Sequence, residues 1–99
     1  MQSFYAERFD RDMGCTLVEW LRWLPQALGE HPRELTDQLA RVQLGEGQLT
    51  IRWQVAPPRI IALARIPRLL VSFDFHQVTD GQRYVYMKRF DLYMQRGGG

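Results

Sequence analysis

Few residues of this chain have the types and the spacing that catalysis requires. His76 lies two residues after Asp74, so on a β-strand both side chains would share one face and could act as an acid–base pair. Such a pair would need a nucleophile or a further ligand, and no third group stands at a suitable spacing. The only cysteine, Cys15, precedes a predicted helix, where a thiolate gains some stabilisation. These residues predict no catalytic site.

The motifs that hold phosphates, metals or cofactors are also missing from the sequence. It contains no glycine-rich phosphate loop, no Gly-x-Ser-x-Gly element and no cysteine or histidine spacing typical of zinc. A single cysteine cannot form an internal disulfide, which fits a reducing compartment. No apolar run reaches the roughly 18 residues of a membrane span, and the N-terminus lacks the pattern of a secretory signal. We therefore expect a cytoplasmic protein without a metal, a cofactor or a membrane contact.

The chain ends in Gly97, Gly98 and Gly99. Glycine commonly ends a helix in the left-handed conformation, so residues 97–99 are predicted to be a helix stop and a flexible tail. This terminus also resembles the ends of ubiquitin-like modifiers and sulfur carriers, whose terminal carboxylate is adenylated and transferred. Those proteins place the glycines after a final β-strand, whereas here they follow a predicted helix. The resemblance implies a carrier role as a second alternative.

The first predicted helix spans residues 16–28. Thr16 and Glu19 have the spacing of a capping box, in which each side chain satisfies a free amide of the first turn. Gly29 stands where a C-terminal cap glycine belongs, and Pro25 is expected to bend or end the last turn. The stripe expected to face the core consists of Leu17, Leu21, Leu24 and Leu28.

The second predicted helix begins after Thr79 and ends near Arg96. Thr79 and Gln82 repeat the capping-box spacing, and Asp80 lies in the first turn, where negative charge favours the helix dipole. The apolar residues on one face of this helix are Tyr86, Met87, Phe90, Tyr93 and Met94.

Between the helices, apolar and polar residues alternate with the period of β-strands. The four predicted strands span residues 40–44, 49–55, 59–66 and 69–76. Their connections are too short for crossovers, so the strands form an antiparallel meander, with the apolar segment 59–66 at its centre. The predicted fold is an α+β two-layer sandwich of helix, four-stranded meander and helix, with both helices on one sheet face. Residues 14–96 form a single domain, preceded by an N-terminal arm or short helix over residues 1–13.

The first helix carries more apolar surface than a small two-layer domain can hide. Trp23 falls on the side expected to face solvent, and Trp20 and Ala27 lie between it and the leucine stripe. Exposed tryptophan is a common interface anchor, and a symmetric homodimer would cover such a patch. The leading hypothesis is a non-enzymatic protein-interaction module that acts as a homodimer through these three residues.

Cations supply two further candidate partner-binding surfaces. Lys88 is the only lysine; the other cations are arginines, which form bidentate contacts with phosphate and carboxylate. Nucleic-acid binding through the uncovered sheet face is the first alternative, although its strand aromatics are expected to point to the core instead of stacking on bases. The arginines of that surface are Arg41, Arg52, Arg59 and Arg65, with Arg68 near the break at Pro67. The outer side of the last helix carries the second cluster, Lys88, Arg89 and Arg96, which suits an acidic protein patch or phosphate.

Overall fold

The computed structural model describes residues 4–96. The chain forms an α+β fold with a five-stranded antiparallel sheet and two helices. In chain order the elements are β1 (Arg8–Met13), α1 (Leu17–Leu28), β2 (Arg33–Leu35), β3 (Leu39–Leu44), β4 (Gly47–Ile61), β5 (Ala64–His76) and α2 (Asp80–Arg96). The strands lie in the order β1-β5-β4-β3-β2. Gly97 to Gly99, and with them the predicted tail and the carrier alternative, lie outside the described residues.

Both predicted capping boxes are present. The Thr16 hydroxyl accepts a hydrogen bond from the Glu19 N–H at 3.1 Å, and the Glu19 carboxylate accepts one from the Thr16 N–H at 2.9 Å. Thr79 and Gln82 exchange equivalent bonds at 3.2 and 2.9 Å. These bonds satisfy amides that a helix start leaves free, which is why both helix starts could be predicted.

The N-terminal segment joins the sheet as a fifth strand; the predicted arm or short helix over residues 1–13 is not what the described part forms. β1 pairs with β5 from Arg8 opposite Asp74 to Met13 opposite Leu69. The alternation of apolar and polar residues that marks a strand is hard to see in β1. Arg11 occupies a position on the helix-covered side of the sheet, between Phe9 and Met13. An arginine at an inward position cancels the alternation that normally marks a strand.

The central strand predicted over residues 59–66 is wrong. β4 and β5 are 15 and 13 residues long and pair with each other through a bulge between Ala56 and Arg59. The chain reverses at Ala62 and Leu63, in the middle of the predicted strand. No glycine or asparagine marks this turn, although Ala62 has a φ of 53°, a value that such turns normally assign to glycine.

Both helices cover the same face of the sheet. Side chains along a strand alternate between the two faces, and one alternate set from β3, β4 and β5 is buried together with residues of α1 and α2. Its strand members are Ala40, Val42, Leu44, Leu49, Ile51, Trp53, Leu69, Val71, Phe73 and Phe75. The helices contribute Trp20, Leu24, Ala27, Leu28, Tyr86, Met87, Phe90 and Met94.

The core-facing stripe of α1 is rotated from the predicted leucine stripe. Its buried residues are Trp20, Leu24, Ala27 and Leu28, whereas Leu21 is exposed. Aromatic contacts account for this rotation, because the Trp20 ring lies 5.7 Å from Trp53 and 6.2 Å from Phe90 between centroids. α1 also continues through Pro25 to Leu28, and Gly29 follows it with a φ of 80°.

Candidate interaction surfaces

Two of the three predicted anchors on α1 are unavailable to a partner. Trp20 and Ala27 are fully buried in the core, so their prediction as contact residues is corrected. The indole N–H of Trp20 is buried and has no hydrogen-bond partner among the described residues. Trp23 is half-buried and borders a cleft of about 320 Å³ with Arg11 and Asp91. The exposed apolar residues of α1 are instead Val18 and Leu21.

One residue of the predicted basic cluster on α2, Arg89, has a structural role. Arg89 donates hydrogen bonds to the carbonyls of Gln26 and Ala27 at 3.2 and 3.4 Å. Those carbonyls end α1, and a cation there complements the helix dipole. Lys88 is exposed, with its ammonium 5.5 Å from the centre of the Tyr84 ring. The side chain of Arg96 lies outside the described part of the structure.

The uncovered sheet face carries Arg41 and Arg52, as predicted, but acidic residues lie among them. Arg41 pairs with Glu34 at 3.4 Å, and Arg8 pairs with Asp74 at 3.3 Å. No phenylalanine, tyrosine or tryptophan of the described strands points to this face. The surface offers neither stacking rings nor a continuous positive field, so the nucleic-acid alternative stays a prediction without support from this face.

Two of the other three predicted arginines, Arg59 and Arg65, belong to a hairpin that projects from the sheet, and Arg68 follows at its root. We call residues 57–67 the arm. β1 pairs with β5 only as far as Leu69, and β3 pairs with β4 only as far as Arg52, so the strands of the arm pair with each other alone. The molecule measures 47 Å along its longest axis and 29 and 22 Å across. Arg59 and Arg65 therefore lie on a projection instead of a sheet face.

Apolar side chains are exposed on both faces of the arm. Leu63 at the tip is fully exposed, and Ile60 and Ile61, which are neighbours and so point to opposite faces, are 67% and 55% exposed. Ile66 is also exposed, on the same face as its cross-strand partner Arg59. An apolar projection of this kind is the feature that the sequence reasoning missed, because it assigned the same residues to a central strand of the sheet.

A cluster around Asp12 fixes the root of the arm. The Asp12 carboxylate accepts hydrogen bonds from Arg68 Nε at 3.0 Å and from Arg59 Nη2 at 3.3 Å. These arginines, with the Arg68 hydrogen bond first, hold the pKa of Asp12 below its usual value. Arg68 also donates to the carbonyl of Pro57 at 3.4 Å. Arg59 and Arg68 thus orient the arm, while Arg65 has no ion-pair partner within residues 4–96.

A groove of about 410 Å³ runs beside the root of the arm, between the arm and the N-terminal end of α1. Most of its lining is apolar. The apolar residues that line it include Leu17, Val18, Val55, Pro58 and Pro67. Val18 and Val55 are both exposed, so the apolar surface of the groove continues onto that of the arm.

The titratable residues that could do chemistry do not assemble into a site. Cys15 is buried, and burial followed by the charge of Glu19 raises the pKa of its thiol, which disfavours the reactive thiolate. Asp74 is paired with Arg8. Within residues 4–96, no group of three or more histidine, cysteine, aspartate or glutamate side chains could hold a metal ion.

Comparisons with known proteins add no family to this description. The sequence matches no protein-family model and no curated protein. Neither of the two described helices has the length and apolar character needed to cross a membrane.

A polar cluster, also missed by the sequence reasoning, ties the N-terminal segment to α2. The Tyr5 hydroxyl donates to Asp91 Oδ2 at 2.9 Å, and Arg11 donates to both carboxylate oxygens of Asp91, at 2.5 and 3.0 Å. The Arg11 guanidinium also lies 5.3 Å from the ring centres of Phe9 and Phe73. No local spacing signals this cluster, because its members are 80 or more residues apart from Asp91.

The Tyr5 hydroxyl predicts a loss of stability at alkaline pH. Burial, and then the hydrogen bond to Asp91, raises the pKa of Tyr5 from 10.0 to about 12. Because the folded pKa exceeds the unfolded value, this contribution is complete below pH 10 and is lost as pH rises towards 12. Between pH 10 and pH 12, the unfolding free energy of the wild type should therefore fall by about 1–2 kcal/mol more than that of Tyr5→Phe, which has no hydroxyl to titrate. Urea unfolding at a series of pH values measures this difference. The same decrease of unfolding free energy with pH in the two proteins would contradict the prediction.

Proposed function

We propose that this chain is a non-enzymatic protein-interaction module that acts as a homodimer, with the arm as its main contact surface. The exposed apolar arm is the observation that carries the proposal. Monomeric proteins rarely expose contiguous apolar patches beyond a few hundred Å². Burying exposed isoleucine or leucine side chains stabilises an association by about 1.5–3 kcal/mol for each fully buried side chain.

The arm replaces the tryptophans of α1 as the source of the association energy. Trp20 lies in the closed core of one chain, so it contributes to folding and not to assembly. Ile60, Ile61 and Leu63 are free of core packing, and their burial would cost the fold nothing. The homodimer hypothesis is therefore kept, and its contact residues are reassigned.

The charged groups of the described residues support a binding role over a catalytic one. Asp12 holds the root of the arm, and Asp91 holds the N-terminal segment. Each of these carboxylates is paired with an arginine, and each pair ties two elements of the fold together. Arg11 and Asp91 border the cleft of about 320 Å³, but they are paired with each other and do not form a nucleophile with an adjacent base.

Oligomeric state as a function of concentration tests this proposal. We expect sedimentation equilibrium of the wild type to show a monomer–dimer equilibrium. The double variant Ile60→Asp/Ile61→Asp should raise the dimer dissociation constant at least tenfold, a change of about 1.4 kcal/mol, because it places charge in the contact. Both side chains are exposed, so the fold should be retained, as circular dichroism can verify.

The matched control is Val85→Asp. Val85 is an apolar residue of α2 that is 70% exposed and lies beside Leu44 and Gly45, at the opposite end of β4 from the arm. We expect this control to dimerise like the wild type. A wild type that stays monomeric at the highest concentration reached, or an equal effect of both variants, would count against the proposal.

A further inference from the structure

The arm is too small to form a stable interface by itself. Each side of a stable protein–protein interface contributes about 20–30 residues, and residues 57–67 are roughly half of that number. The remaining contact surface must therefore come from elsewhere on the chain. The groove beside the arm is the apolar surface that continues directly from it, through Val55 and Val18.

We propose that two copies of this chain exchange arms, so that the tip of each arm, at Leu63, docks in the groove between α1 and the arm root of the other copy. This inference rests on the proposed homodimer and names its contact. A two-fold axis places the same patch of each chain at the interface. One exchange therefore buries two tips and two grooves, which supplies the missing half of the contact surface.

The exposure of both faces of the arm favours this arrangement. A hairpin that lies on a flat partner buries one face only, which would leave either Ile60 or Ile61 in water. When two arms lie side by side, each with its tip against the body of the other copy, one face contacts the partner's arm and the other faces the partner's groove. Both apolar faces are then covered.

The prolines at the arm root argue against a foreign peptide strand as the partner. Pro57, Pro58 and Pro67 lack the backbone N–H that an added strand would need as a hydrogen-bond donor. Side chains must therefore provide the recognition. A lipid bilayer suits the arm poorly as well, because backbone groups at the edges of a hairpin stay unpaired in an apolar medium, at a cost of about 3 kcal/mol for each group.

Charge does not oppose the approach of two arms. Asp12 already pairs with Arg59 and Arg68, which leaves Arg65 as the one cation of the arm region without an ion pair in the described structure. The same cluster ties the root of the arm to β1. Less freedom is then lost when the arm docks, and this lowers the cost of association.

Mixing two variants tests the exchange. Leu63→Asp alters the tip, and Val18→Asp alters the groove at the second residue of α1, where negative charge favours the helix. In either variant alone, both tip–groove contacts of the dimer are altered. In the mixed dimer, one contact combines an intact tip with an intact groove. We expect each variant alone to dissociate at least tenfold more readily than the wild type, and the mixture to associate more tightly than either variant.

Cysteine cross-linking gives a second readout that does not depend on affinity. Mixed Leu63→Cys and Val18→Cys chains should form an intermolecular disulfide under mild oxidation, whereas the control mixture of Leu63→Cys and Val85→Cys should not. The native Cys15 is only 4% exposed but lines the same groove, so both mixtures also carry Cys15→Ser.

The outcomes separate the two proposals. A dimeric wild type whose variants show neither rescue on mixing nor the cross-link would overturn arm exchange and leave the homodimer standing. A wild type that is monomeric at all concentrations would overturn both. Sedimentation of monomeric chains with phosphatidylserine vesicles, abolished by Leu63→Asp, would assign the arm to lipid and also overturn the exchange.

Discussion

Gly47→Ala should destabilise the fold by about 3 kcal/mol, although it adds a single methyl group. A Cβ on Gly47 would lie 2.2 Å from the carbonyl oxygen of Gln77 and 2.6 Å from that of His76. Both atoms belong to the backbone, so no side-chain rotation can relieve the overlap. The chain leaving β5 turns back over β4 at this point, with a φ of 57° at Gln77. The backbone would have to move, and with it the end of the β4–β5 pairing.

Gly81→Ala is the matched control for this substitution. Gly81 lies in the first turn of α2, and nothing is within 4 Å of a Cβ added there. Alanine restricts the unfolded chain more than glycine does and suits a helix better, so we expect a gain of about 0.5–1 kcal/mol. Urea unfolding followed by tryptophan fluorescence compares the two variants. Similar free energies of unfolding for both would refute the steric explanation.

Asp91→Asn should cost about 2–3 kcal/mol of unfolding free energy. The substitution keeps the shape of the side chain and removes its charge, which leaves Arg11 without a counter-ion beside the stacked rings of Phe9 and Phe73. The Arg11 and Asp91 side chains are each 23% exposed, so solvent screens the pair only in part. Asparagine also replaces one acceptor oxygen with a donor amide, so the three bonds from Tyr5 and Arg11 cannot all be kept.

The exposed pair between Arg8 and Asp74 provides the control for this effect. It also anchors β1, but to β5 instead of α2, and the Arg8 side chain is 82% exposed. Surface ion pairs contribute about 0–1 kcal/mol, so Asp74→Asn should change the unfolding free energy by at most about 0.5 kcal/mol. Unfolding is measured in urea, because a guanidinium salt would raise the ionic strength and screen both ion pairs. Equal losses for the two asparagine variants would show that partial burial of the Asp91 pair does not matter.

The arm shows how one turn changes the place of predicted interface residues in the fold. The sequence predicts that Arg59 and Arg65 lie on a sheet face. The turn at Ala62 moves them onto a projection, where the same side chains can meet another chain. The candidate residues were thus partly predicted, whereas their arrangement was not.

Features that depend on neighbours a few residues apart could be predicted from the amino-acid sequence. Thr16 with Glu19 and Thr79 with Gln82 begin the helices, because each capping bond joins residues three positions apart. Alternation in β3 and β4 predicts strands, because the side-chain period of a strand is set by local backbone geometry. The α+β class follows from these elements alone.

Features that depend on residues far apart in the chain could not be predicted and are set by the packing of separate elements. Arg11 can occupy an inward position of β1 because Asp91, 80 residues away, pairs with it. Trp20 turns into the core because Trp53 and Phe90 surround it. Local spacing carries no information about such contacts, since the energy that selects them arises only when separate elements pack together.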